Sequence, residues 1–448
     1  MKRLMNPLRG GILMKWHDHY DQHLTTASEA VKAIKSGDRV VTAHACGEPK
    51  SLVEAMVNRA NQLERVEIVH MVAMGSARYC LPEYARAFRH NSLFVGATTR
   101  KAVNDGRGDY TPCFFSEIPR LFRDKILPVD VALITVSPPD KLGFFCQGIS
   151  VDYTRQAALS AKTVIAAVNP QMPRVGGDSC LHATDIDYFV PTGEPLIELS
   201  PPKLGEIEKA IGGHVASLIK DGDCLQLGIG ALPDAVLSYL GEKNDLGIHS
   251  EMISDGAMNL VNSGVITCRK KTFLPGKIVI TFAMGTAAFY EWLNDNTMIE
   301  AYPVDFVNDP FRIAQNDNMV SINSALAVDS MGQIAATALG PMQYSGVGGQ
   351  VDFVRGCSRS KGGRSIIALP STAAKGTQSR IVACFQPGQS VTTSRYDVDY
   401  VATEFGIVAL RGKTLRQRCE ALIEIAHPDF RDQLRDDCTK LNGGGCCQ

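Results

Sequence analysis

Ile34-Lys35-Ser36-Gly37-Asp38-Arg39-Val40-Val41 reads like Ile219-Lys220-Asp221-Gly222-Asp223-Cys224-Leu225-Gln226. Each stretch ends a helical pattern, turns at Gly-Asp and enters an apolar strand. A loop of small residues follows, then Pro49 or Pro233, then another helical pattern. Further matches come in the same order. Ile68-Val69-His70 parallels Gly247-Ile248-His249, and Asp140-Lys141-Leu142-Gly143 parallels Asp329-Ser330-Met331-Gly332. Thr163-Val164-Ile165-Ala166 parallels Ser365-Ile366-Ile367-Ala368, and Asp185 to Val190 parallels Asp397 to Ala402. Ordered matches of this kind predict a tandem duplication of one domain.

Working outward, each half alternates short β-branched runs with amphipathic helical stretches, the pattern of α/β layers around a largely parallel sheet. The join falls at Ser200-Pro201-Pro202-Lys203, where two prolines interrupt any helix or central strand. The domains therefore read as 15–203 and 204–440. Residues 1–14 are expected to be a flexible extension, with Met14 as a second candidate start, and 441–448 a flexible tail. Glu206 to Lys220 is predicted to open the second half as a helix. Ile207, Ile211, Val215 and Leu218 recur at helical spacing, although Gly212-Gly213 weakens it. The expected fold is a pair of related open α/β domains, with a ligand cleft between them off the C-terminal ends of strands.

The 448 residues are 45% hydrophobic and 21% charged, with a net charge of −1. That balance gives no electrostatic reason for nucleic acid or an anionic membrane as partner. The thirteen cysteines are scattered, with no C-x-x-C; only Cys446 and Cys447 adjoin. They read as buried thiols in a reducing compartment rather than a disulfide framework. No secretory signal pattern and no apolar run of about 20 residues is present, so a cytoplasmic location is expected.

Three stretches could carry chemistry. Leu225 to Asp234 runs from strand through Gly228-Ile229-Gly230 into a helix, an arrangement that lets backbone approach a phosphate. Pro233 stands where a dinucleotide fingerprint needs its third glycine, which disfavours NAD; a tight turn without ligand reads equally well. In Gly247 to Gly256, Glu251 aligns with Val72 of the first half. It reads either as a solvated loop glutamate or as a carboxylate gained at a strand end for function. Tyr344 to Phe353 holds Gly346, Gly348 and Gly349, whose N–H groups could bind an anion or a developing oxyanion, or which serve only a positive-φ loop. His17, His19 and His23 match no standard metal spacing, so no metal is expected. No Walker loop, G-x-S-x-G or H-E-x-x-H is present.

Together these stretches resemble the acetyl-CoA hydrolase/transferase family of coenzyme A transferases, over about Ser28 to Leu434. The carriers are LQLGIGALPDAVL (225–237), LGIHSEMISDG (246–256), VNDPFRIAQNDNMVSINSALAVDSMGQ (307–333), SGVGGQVDFVRG (345–356) and VDYVATEFGIVALRGKTLRQRCEALIEIAHPDFRDQL (398–434). The likeness implies Glu251 as covalent nucleophile. It implies coenzyme A contacts at Gly228, Ile229, Gly230, Ala231, Leu232, Leu326 and Gly349, with Gly348 and Gly349 as oxyanion candidates. The implied activity is ping-pong transfer of coenzyme A between short-chain acyl-CoA (acetyl, butyryl or 4-hydroxybutyryl) and a free carboxylate, through a glutamyl-CoA thioester. Coenzyme A is then a substrate, no cofactor is bound permanently, and a homo-oligomer is expected. Alternatives are acyl-CoA hydrolysis, a non-catalytic acyl-CoA-binding protein and, on fold analogy alone, a sugar-phosphate isomerase. His249-Ser250-Glu251-Met252, Ala327 and Gly96-Ala97-Thr98-Thr99-Arg100 depart from the family pattern and bear on which acid is used.

Overall fold

The computed structural model describes residues 16–441; the expected extension at 1–14 and nearly all of the tail at 441–448 lie outside them. The chain forms two compact units, one reaching Leu199 and including Thr281–Phe306, the other comprising Ser200–Ile280 and continuing from Val307. The sequence reading keeps 281–306 in the second half. It packs with the first because Val151 and Asp152 both donate N–H to the Thr281 carbonyl. In addition, the strand Ile299–Ala301 pairs in parallel with Gly176–Gly177.

The first unit is built on a seven-stranded sheet in the order 188–191, 163–168, 131–136, 39–42, 66–71, 88–94, 108–110, parallel throughout. Val131–Val136 is buried at every position, so its apolar run is continuous rather than alternating, as a strand covered on both faces requires. Val40, Ile68, Leu133 and Ile165 from neighbouring strands form the centre of this core.

The second unit repeats that order. Its strands run 247–248, 224–227, 319–324, 364–368, 400–403, 406–409; the last is antiparallel and the others are parallel. The matched strand motifs occupy corresponding places in the two sheets, while the motifs at 140–143 and 329–332 lie in turns outside them. The turns match too. The Asp38 and Asp223 carboxylates accept the N–H of Lys35 and Lys220. Asp140 accepts from Leu142 and Phe144, and Asp329 from Met331 and Gln333. A short aspartate closing its own turn is a local device, so a duplicated sequence folds into a duplicated turn.

The opening helix of the second unit is shorter than expected, Glu206–Ser217. Ile211 and Val215 are buried, while Ile207 is exposed. Gly212 has a packing reason: a Cβ there would lie 2.8 Å from the backbone of Ala235. The helix cost of the glycine, roughly 1 kcal/mol, is offset by close approach to the helix Ala231–Ser238.

Candidate active site

The second unit assembles its candidate groups at the C-terminal ends of neighbouring parallel strands. Strand Cys224–Leu227 leads into Gly228-Ile229-Gly230, and the helix Ala231–Ser238 starts directly after it. Gly230 has φ 109 and ψ −178, a region open essentially to glycine. Strand Gly247–Ile248 leads through His249 and Ser250 to Glu251. Ser250 fastens the two strand ends together. Its Oγ donates to the Leu227 carbonyl (3.1 Å) and accepts the Leu227 N–H (3.2 Å), and its own N–H donates to the Val279 carbonyl (3.0 Å).

Glu251 meets two other groups here. Asn308, fully buried, donates from Nδ2 to Glu251 Oε2 at 2.9 Å. Gly349, the N-cap of the helix Gln350–Arg359, lies so close that a Cβ added there would collide with both the Glu251 carboxylate and the Asn308 amide. The helix end thereby brings partial positive charge against an anionic side chain. Gly348, just before, is left-handed (φ 54). Gln350 Nε2 donates to the Ser324 carbonyl (3.1 Å), tying the helix start to the end of strand Met319–Ser324. Leu326 is half-buried beyond that strand, with its N–H on the Ala335 carbonyl.

His249 holds the arrangement from behind. It is fully buried, and its Nε2 bonds the Val307 carbonyl at 2.7 Å, the residue before Asn308. Burial first, then the Lys271 charge, pushes its pKa down to about 3, so the ring is neutral and Nε2 carries the donated proton. Lys271, itself buried, donates to the carbonyls of Ile248 (2.9 Å) and Lys277 (2.6 Å). At the other end of the loop, burial followed by repulsion from Asp255 raises the Asp234 carboxyl.

Gly349 and Glu251, singled out in the sequence, are thus in contact, and the Gly228–Leu232 loop is fastened to the same strand end. Asn308 and Lys271 are neighbours of the site that sequence reasoning did not name as candidates, and His249, noted there only in the repeat and the family pattern, had no role assigned. Asn308-Asp309-Pro310 looks only like a turn into a helix, and Asp309 indeed caps the helix Pro310–Ile313. Nothing local to Asn308 or Lys271 points at Glu251. Of the histidines at 17, 19 and 23, His19 Nε2 bonds the Ile186 carbonyl (2.9 Å) and His23 Nδ1 bonds the His19 carbonyl (2.7 Å).

The buried histidines set a pH dependence of stability. Burial, above all, holds His249 at about 3 and His90 at about 4, against about 6.5 when unfolded. Between those limits the unfolded chain binds more protons, so stability rises with pH and is lost on acidification from about 6.5 downward. Each ring contributes up to about 1.4 kcal/mol per pH unit in that window. Urea midpoints at pH 7, 6 and 5 should fall progressively, and His90→Gln should flatten the slope by about one proton. An unchanged slope in that variant would refute the assignment.

Comparison with known proteins bears on this geometry. Residues 13–199 match the acetyl-CoA hydrolase/transferase N-terminal domain and residues 285–438 the corresponding C-terminal domain. The chain is 59% identical over 427 residues to the 4-hydroxybutyrate coenzyme A transferase of Clostridium kluyveri, covering 95% of this chain and 100% of that one. The crystal structure of RipA from Yersinia pestis matches with a TM-score of 0.91 at 40% identity, covering 96% of this chain and 100% of RipA. That of 4-hydroxybutyrate CoA-transferase from Porphyromonas gingivalis matches with a TM-score of 0.82 at 43% identity, covering 95% and 100% respectively. Matched in both halves and nearly end to end, the chain belongs to the acetyl-CoA hydrolase/transferase family.

Proposed function

We propose that this chain is a CoA-transferase that moves coenzyme A between a short-chain acyl-CoA and a free carboxylate, with Glu251 as the nucleophile. Its family membership and the names of its relatives support the activity. The observation that carries the residue assignment is the Glu251 carboxylate held by Asn308 against a glycine that leaves no room for a side chain.

Glu251 attacks the thioester carbonyl, forming an acyl-glutamyl anhydride and releasing the CoA thiolate. The thiolate attacks the glutamyl carbonyl, giving a glutamyl-CoA thioester and freeing the first acid. A second carboxylate attacks that thioester, and the thiolate released then takes the new acyl group, restoring Glu251. No net proton transfer is needed, and the kinetics are ping-pong. Each addition makes an oxyanion; the Asn308 Nδ2 group and the backbone at Gly348-Gly349 are the donors proposed for it. The Gly228–Leu232 loop and Leu326 are proposed to contact coenzyme A, whose remote binding positions the thioester.

Trapping tests the reading directly. Wild-type protein incubated with acetyl-CoA, then treated with borohydride or hydroxylamine, should carry its modification at Glu251 by peptide mass spectrometry. Label at another residue, or none under turnover, overturns the assignment. Comparing acetate-dependent exchange with free-thiol release in water separates transfer from hydrolysis. Asn308→Ala should lower kcat about 100-fold, the scale of losing one oxyanion donor, with KM for acyl-CoA little changed. Asn308→Asp should cost more, because it sets a second carboxylate against Glu251.

A further inference from the structure

Away from the candidate site, the strands Phe144–Cys146 and Cys180–His182 of the first unit pair antiparallel, with Cys146 directly opposite Cys180. The neighbouring position is hydrogen-bonded, since Gln147 donates its N–H to the Ser179 carbonyl at 2.8 Å. Cys146 turns its own backbone the other way: its N–H donates to Ser137 Oγ (3.0 Å) and its carbonyl accepts from Ser137 N–H (2.7 Å). Cys146 and Cys180 are therefore a non-hydrogen-bonded cross-strand pair, the kind whose Cα atoms typically stand about 4.5 Å apart. A disulfide spans Cα separations of roughly 4.4–6.8 Å. Both sulfurs lie on one face and approach one oxygen: Ser179 Oγ is 3.4 Å from Cys146 Sγ and 3.6 Å from Cys180 Sγ.

The two thiols differ in setting. Cys146 is fully buried, yet the N–H groups of Gly148 and Val175 each point at its sulfur from 3.4 Å. Such donors favour a thiolate. A hydrogen bond from Cys180 is the largest influence, and with Ser179 and these backbone groups it lowers the Cys146 thiol despite burial. Cys180 is only half-buried. By contrast, burial pushes the thiols of Cys80, Cys224 and Cys357 up to about 12. A thiolate-favouring cysteine beside a second thiol in bonding register is the arrangement of an oxidisable pair.

We propose that Cys146 and Cys180 form a hydroperoxide-reactive dithiol that closes to a disulfide across this hairpin. The Cys146 thiolate attacks the near oxygen of hydrogen peroxide; an S–O bond forms, the O–O bond breaks and hydroxide leaves, giving a sulfenic acid. The Cys180 sulfur then attacks the Cys146 sulfur; an S–S bond forms, the S–O bond breaks, and the Cys180 proton leaves with the hydroxyl as water. Two thiols are oxidised and one peroxide is reduced. The half-buried Cys180 sulfur is the more exposed end of the bond, where a reductant attacks. A dithiol reductant reverses the bond by exchange.

The test uses the full chain. Protein is treated with hydrogen peroxide, freed of peroxide, denatured in urea with iodoacetamide, digested without reduction and mapped by mass spectrometry. A linked Cys146–Cys180 peptide that dithiothreitol abolishes is expected, with two alkylatable thiols lost. Both should be lost at least ~10-fold faster than Cys224 or Cys357. In Cys180→Ser, Cys146 should proceed to sulfinic acid instead. Cys384→Ser, which removes an exposed thiol, should leave the linkage unchanged. Cys146 and Cys180 remaining alkylatable while Cys384 oxidises, or Cys146 linked to another cysteine, would overturn the proposal. The wild-type map decides it even if a substituted chain fails to fold.

Discussion

Glu251→Ala is expected to lower acyl-CoA:carboxylate exchange by about four or more orders of magnitude, while thermal unfolding and circular dichroism stay close to those of the parent. Every step of the proposed cycle makes or breaks a bond to the Glu251 carboxyl group, so no neighbouring group substitutes for it. Removing it should leave the fold because Glu251 stands in the loop beyond the strand Gly247–Ile248 and not within the sheet. Asn308 reaches Glu251 only through Nδ2, and Asn308 is positioned from the other side by the Val307 carbonyl on His249. The trapped glutamyl-CoA species must vanish with the activity. Near-normal turnover in Glu251→Ala would sink the nucleophile assignment while leaving the family membership untouched. Glu251→Asp should retain some exchange, because the carboxylate is kept but withdrawn by one methylene. A displacement near 1 Å typically costs about 100-fold.

Gly349→Ala is the second large effect, expected to cost about 100-fold or more in kcat, far beyond what its loss of stability accounts for. The cause is steric rather than conformational. Gly349 has φ −93 and ψ 2, a negative-φ region that alanine can enter, and glycine to alanine at an N-cap costs on the order of 1 kcal/mol. The added methyl instead lands on the Glu251 carboxylate and the Asn308 amide. Something there must shift, and the reacting group is what the methyl meets first. Gly348→Ala makes the contrast: its φ of 54 strains an L-residue by roughly 1–2 kcal/mol, so it should lower the melting temperature. Steady-state kinetics beside thermal melts separate the two. Equal kcat in Gly349→Ala and the parent would mean that the carboxylate is not held where it reacts.

The fold was legible in the sequence where its signals are local. A Gly-Asp turn, an apolar run and an aspartate that caps its own loop each act within a few residues, so the duplicated motifs predict the duplicated strand order. The helix from Glu206 was legible too, but not its end at Ser217, nor the reason for Gly212. That reason is the backbone of Ala235 on a neighbouring helix. The same limit applied to the site. Glu251 stood out because its counterpart Val72 is apolar, and Gly349 because glycines cluster there. Asn308 carried no mark, since its partner lies 57 residues away.

By itself the sequence determined the α/β class, the internal duplication, the family likeness and the carboxylate on which the chemistry is proposed to turn. All of these rest on residue identity and short-range spacing. Only the tertiary structure decided that Asn308 and Gly349 converge on Glu251, that His249 is a neutral brace, that residues 281–306 pack with the first unit, and that Cys146 faces Cys180. The cysteines had read as scattered thiols. Contacts of this kind are set by strand register and by which loops end at the same edge of a sheet, and residue spacing along the chain does not encode them.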